Sequence, residues 1–188
     1  MLSIISISLK AQPQTSFKMS SGSKITVTGT SNIHAWTMTA SSFNSDGILT
    51  LEGQQLRDLQ SLSFSLPVTN LKSKEDLMDT RAYKALKGDQ FSRITFKLTE
   101  ATVIPSQKLI KATGNLTIAG KTNLVTIHSN YSLSGDEITF KGSRSIKMND
   151  YGIKAPSFML GALKTGNDVT IDILLKLKKS NSSIITKN

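Results

Sequence analysis

Cysteine is absent from all 188 residues, which rules out disulfides, thiolate-bound zinc, iron–sulfur clusters and a cysteine nucleophile. An oxidising compartment stays open, because a domain of this size can fold there without cross-links. Histidine is almost as scarce. His34 and His128 are the two copies, and no His-x-His or His-x-x-x-His pair exists to seed a metal site. Each reads as a solvent-side or hydrogen-bonded structural residue. The 13 carboxylates are scattered. Asp76 and Asp79 share a predicted helix start, where acids offset the macrodipole, and Asp46, Asp136 and Asp168 sit in turn-like sequences. There is no Gly-x-Ser-x-Gly elbow and no glycine-rich phosphate cradle. No apolar run approaches the ~20 residues that a membrane-crossing helix needs. No constellation therefore argues for an enzyme, a metal site or a cofactor.

Aromatic residues make up 6% of the chain, few for stacking single-stranded bases. The formal charge of +10 is spread along the sequence, with one dense cluster at Lys176, Lys178 and Lys179. Solubility and a general attraction to polyanions account for it, and nucleic acid is not an expected partner. Met1 is followed by a short apolar run from Leu2 to Leu9 and by Lys10-Ala11-Gln12. Residues 1–19 are read as part of an export signal, cleaved near Ala11, plus a lead-in, with an ordinary first strand as the competing reading. Residues 20–179 form one predicted domain and 180–188 a polar tail.

Within that domain apolar and polar residues alternate with period 2, the pattern of strands with one buried face. Ile25 and Val27, then Trp36, Met38 and Ala40, begin the series. Leu62, Phe64 and Leu66 follow, then Ile94, Phe96 and Leu98, then Leu116 and Ile118, and then Val125, Ile127, Tyr131 and Leu133. Ile138 and Phe140 lead toward Ile146 and Met148, and Val169 to Leu177 form the clearest run. Asp46-Gly47, Ala119-Gly120-Lys121, Ser134-Gly135-Asp136 and Gly166-Asn167-Asp168 are the expected hairpin turns. About nine such segments predict an all-β antiparallel fold, closed into a barrel or stacked as two sheets. Ser73 to Asp76 resembles a capping box, and Leu77, Met78, Ala82, Ala85 and Leu86 share one helical face ahead of Gly88 at C′. That predicts one short inserted helix. Asn149 to Gly166 is long, apolar and aperiodic, as binding loops often are.

Five segments in order resemble the YceI-like family. They are Gly29 to Trp36, Leu71 to Lys87, Phe91 to Leu98, Gly114 to Thr122, and Met148 to Gly161, and the resemblance spans roughly residues 20 to 178. Phe91-Ser92 and Ala155-Pro156 stand where the family commonly has Phe-Pro and a proline pair, which bears on pocket shape. The resemblance implies an eight-stranded lipocalin-like barrel, periplasmic or secreted, that carries an isoprenoid or other long-chain lipid. Under that reading Trp36, Met38, Phe64, Leu66, Met78, Leu86 and Phe91 would line the pocket. Phe96, Leu116, Ile118, Phe140, Met148, Phe158 and Met159 would complete it. Arg81, Lys84 and Lys154 are the expected head-group contacts. A fully packed interaction module and a polyanion-binding protein are the alternatives, and a homodimer stays open.

Overall fold

A computed structural model describes residues 14–158 and 162–180. Residues 1–13, which include the expected export-signal segment, Met159 and the tail beyond Ser180 lie outside the described residues. Strands β1 (Gln14–Met19), β2 (Lys24–Ser31), β3 (Ala35–Ala40), β4 (Asn44–Glu52) and β5 (Gln55–Pro67) lead into helix α1 (Asp76–Ala85). Strands β6 (Arg93–Ile104), β7 (Leu109–Ile118), β8 (Lys121–Ser134), β9 (Glu137–Lys147), β10 (Ser157–Phe158) and β11 (Leu163–Lys179) follow.

Every strand pairing is antiparallel. The order β1-β4-β5-β6-β7-β8-β9-β11 returns to β1, so eight strands close a barrel-like ring. Closure removes the free edges that would template aggregation. β2 extends the line of β1 along β11, and β3 lies beside β2. Ser23 spans the break between β1 and β2: its hydroxyl accepts from the Lys176 N–H at 2.9 Å, replacing a ladder bond. The break at residues 41–43 flips the parity of the chain. Even-numbered Met38 and Ala40 are buried before it, and odd-numbered Ser45, Gly47 and Leu49 after it. β1, closing the ring, falls in the stretch expected to be lead-in.

Two of the four predicted turns are hairpins. Ala119 and Gly120 have φ of 49° and 79°, the double positive φ of a type I′ turn. Gly135, at φ 56°, turns β8 into β9. The other two expectations are corrected. Asp46-Gly47 lies inside β4, where Gly47 faces Phe17 of β1 and Leu62 of β5. Gly166-Asn167-Asp168 forms a bulge within β11, between Thr165 and Val169 in the pairing with β2. The predicted loop of 149–166 is correspondingly shorter, because β11 starts at Leu163 and β10 pairs with it.

The helix also begins later than Ser73 suggested. Glu75 is the N-cap residue and no side chain caps the helix. Ser73 makes a local turn instead, its hydroxyl donating to the Glu75 carbonyl at 2.9 Å and accepting from the Glu75 N–H at 3.0 Å. The Ser73 N–H donates to buried Asp79 at 2.7 Å, tying the first turn to the segment after β5. At the other end Lys87, not Gly88, takes the left-handed position, at φ 54°. The Gly88 N–H reaches the Tyr83 carbonyl at 2.9 Å and the Lys87 N–H reaches Lys84 at 3.1 Å, a Schellman closure.

Candidate functional site

The inward side chains fill one end of the ring and leave the other hollow. Phe17, Leu49, Leu56, Ile110, Ile138 and Leu177 are at most 1% exposed. They come from the ends of β4 and β11, the starts of β5, β7 and β9, and from β1 beside β11, so they share one end and form a packed floor. Burying each such side chain contributes roughly 1.5–3 kcal/mol. Above the floor lies a cavity of about 350 Å³. Its walls are almost entirely apolar. Ile25, Met38, Leu59, Ile110, Phe140 and Leu175 surround its lower part, and Ile94, Leu116, Ile118, Ile127, Ile146 and Val169 stand nearer the opening.

The helix covers the opening. Among the described residues β3 has no strand neighbour on the side away from β2, and Lys72 takes that place. The Thr39 N–H donates to the Lys72 carbonyl at 2.7 Å, and the Lys72 N–H returns to Thr39 at 2.9 Å. The Tyr83 hydroxyl sits 2.7 Å from the Leu71 carbonyl and 2.9 Å from that of Thr69, anchoring α1 to the same segment. Met78, Ala82, Ala85 and Leu86 then project into the cavity from one helical face, while Leu77, on the other, is 60% exposed. Burial pushes the Asp79 carboxyl up, but the Ser73 N–H and the Lys72 ammonium outweigh it and hold the group below the usual carboxylate range.

Glycines let aromatic rings approach the walls. Gly29 pairs with Trp36 across β2 and β3, and a methyl group there would overlap the indole. The indole N–H donates to the Thr30 carbonyl at 3.2 Å, which fixes the ring at the rim. Gly114 likewise leaves room for the Phe96 ring.

The structure gathers Trp36, Met38, Phe64, Leu66, Met78, Leu86, Phe96, Leu116, Ile118, Phe140, Met148 and Arg81 around this one cavity. Phe91 needs correction: it is 38% exposed, its ring sits on Gly120 of the β7–β8 hairpin, and it does not line the cavity. Lys84 and Lys154 are exposed and also stand apart from the lining. Phe158 is described only as part of β10, and Met159 lies outside the described residues.

Several lining residues were not anticipated, among them His34, Glu75, Ile127, Arg144, Tyr151 and Ile153. Arg144 was legible. Ile138, Phe140 and Ile146 set an even-numbered inward parity in β9, and Arg144 shares it. Tyr151 is 2% exposed, and its hydroxyl has no hydrogen-bond partner among the described residues. Burial pushes its ionisation up, while the neighbouring Asn123 amide and the Arg144 charge pull it down. No group of three or more His, Asp or Glu side chains converges as metal ligands among the described residues, and no helix there is long and apolar enough to cross a membrane.

A closed ring with a packed floor, an apolar chamber and a helix across its opening is a barrel-like fold with an internal cavity, an architecture able to enclose a small molecule. The YceI-like domain matches residues 10–177, and the chain belongs to that family. In fold it is similar to BcnA of Burkholderia cenocepacia, at TM-score 0.69 and 16% identity over 82% of this chain and 95% of that one. A polyisoprenoid binding domain from Saccharophagus degradans gives 0.66 at 14% identity, covering 88% and 99% of the two chains. The YCEI protein of Campylobacter jejuni gives 0.59 at 14%, covering 73% and 82%. No curated protein matches the chain in sequence.

Proposed function

We propose that the protein holds a long apolar molecule, an isoprenoid or a similar amphiphilic lipid, in this chamber, and that it acts as a periplasmic or secreted carrier. The cavity of about 350 Å³ with aliphatic walls carries the reading. An apolar cavity of about 150 Å³ stays dry and takes up benzene, so this one has room for roughly fifteen carbons, or about three five-carbon units. At ~0.8 kcal/mol per carbon, such a tail gains on the order of 12 kcal/mol of transfer free energy before the cost of immobilising it. A longer chain would extend past α1. The polyisoprenoid binding of the Saccharophagus degradans domain supports the ligand class. The apolar run Leu2 to Leu9 supports export.

Extraction of natively purified protein into organic solvent, followed by mass spectrometry, should recover an apolar ligand at near-stoichiometric amounts. Protein that comes out empty, and that also fails to take up a C15 prenyl alcohol after delipidation, would overturn the proposal.

A further inference from the structure

One charged residue stands on the wrong face of the sheet for a chamber that holds only hydrocarbon. In β9, Ile138, Phe140, Gly142, Arg144 and Ile146 share one parity. Arg144 lies directly across from Ile171 of β11, itself a cavity residue. The adjacent Ser145 pairs its hydroxyl with Thr170 at 3.0 Å on the exposed outer face, which places Arg144 on the inner one. Ile127, Ile146 and Ile171 line the same wall. The Arg144 guanidinium makes no hydrogen bond and no ion pair among the described residues.

A guanidinium keeps its charge in every setting. Arg144 is exposed where β9 reaches the cavity opening, so its donors stay accessible to the head of a molecule entering there. Of the other charged residues that line the cavity, Arg81 repels it and Glu75 is exposed beside the helix start. Arg144 also lies close enough to Tyr151 for its charge to be felt there. Its place is three residues before the end of β9, at the helix-covered opening and away from the packed floor. A ligand with its tail toward Phe140 and Leu175 would therefore bring its head to this position.

We propose that Arg144 binds the oxyanion head, phosphate or carboxylate, of an amphiphile whose tail occupies the cavity, so that the protein selects acidic over neutral lipids. The inference rests on the lipid-binding reading and adds the chemistry of the head. The planar fork of the guanidinium suits both oxyanions, each of which can accept two parallel N–H bonds. A charge-assisted hydrogen bond of this kind strengthens binding by about tenfold or more.

The test uses delipidated full-length protein and three probes: farnesol, farnesyl phosphate and palmitate. Emission of Trp36, the one tryptophan and a cavity residue, reads the binding. Farnesyl phosphate should bind at least about tenfold more tightly than farnesol. Arg144→Gln should reduce that preference to within about threefold by weakening farnesyl phosphate far more than farnesol, and Arg144→Lys should keep part of it. Palmitate binding that also depends on Arg144 would assign the site to oxyanions in general, whereas dependence for the phosphate alone would narrow it to phosphoryl heads. Farnesol and farnesyl phosphate binding equally, or a preference that survives Arg144→Gln, overturns the head-group assignment and leaves lipid binding intact. If none of the probes binds, both fall together.

Discussion

Consider replacing Ala112 by leucine. Ala112 points inward from β7, between Ile110 and Gly114, lines the cavity and faces Ala101 across the β6–β7 ladder. Leucine adds three carbons, worth about 2 kcal/mol of transfer free energy when buried. Fixing its rotamer costs ~0.5–1 kcal/mol. With room for roughly fifteen carbons, the larger side chain enters the existing space and the delipidated protein gains about 1–1.5 kcal/mol. For a chain of this length that raises Tm by about 2–6 °C. A filled barrel gives the opposite sign: overpacking a close-fitting core costs ~1–3 kcal/mol. Thermal and urea denaturation of delipidated wild type and Ala112→Leu distinguish the two cases. A lower Tm and a lower urea midpoint for the variant would refute the hollow interior. Farnesol affinity should fall in the same variant, because the side chain takes up part of the ligand's room.

Three further outcomes are expected. Gly29→Ala should displace the Trp36 indole from its seat, cost about 1–3 kcal/mol in denaturant titrations, and shift tryptophan emission to longer wavelength. Asp79 has a folded-state pKa below its unfolded value of about 3.9, so its contribution is complete above that value and is lost as pH falls through the folded value. Melting curves across acidic pH should therefore show a component that appears only below about pH 4 and is missing from Asp79→Asn, which should itself lose ~1–3 kcal/mol at neutral pH. Phe91→Ala should leave prenyl-alcohol affinity within twofold in the Trp36 titration, because that ring packs on Gly120 outside the cavity.

Alternation revealed the strands because period 2 is imposed by the pleat itself, and Val169 to Leu177 in β11 show it most plainly. Interruptions hid what alternation could not express. At 41–43 the parity flips, so β3 and β4 do not read as one line in two pieces. Asp46-Gly47 carries turn chemistry yet lies within β4, where a glycine answers the close approach of Ser61 in β5 rather than a reversal of the chain. The helix appeared two residues too early because a serine that makes a local turn has the same sequence as one that caps. Whether the ring was filled or hollow was not readable at all. Leu56 in the floor and Leu116 in the cavity wall are the same residue type on the same kind of face, and only the sum of volumes across the ring separates them. Arg144 was available to parity, but an apolar pattern draws attention to the positions that obey it.

The division between a solid floor and an empty upper chamber has a consequence for descent. Side chains in the floor touch one another, so each change there is felt by its neighbours and selection holds them to a narrow range of volumes. Side chains around the chamber face a gap, and substituting them forfeits few contacts and little stability. The chamber of such a protein can change shape at the top while the bottom keeps it folded. A likeness in fold at only 14–16% identity to this chain is consistent with such a separation. The separation also directs the search for specificity differences among relatives to the upper wall, with position 144 the first place to look.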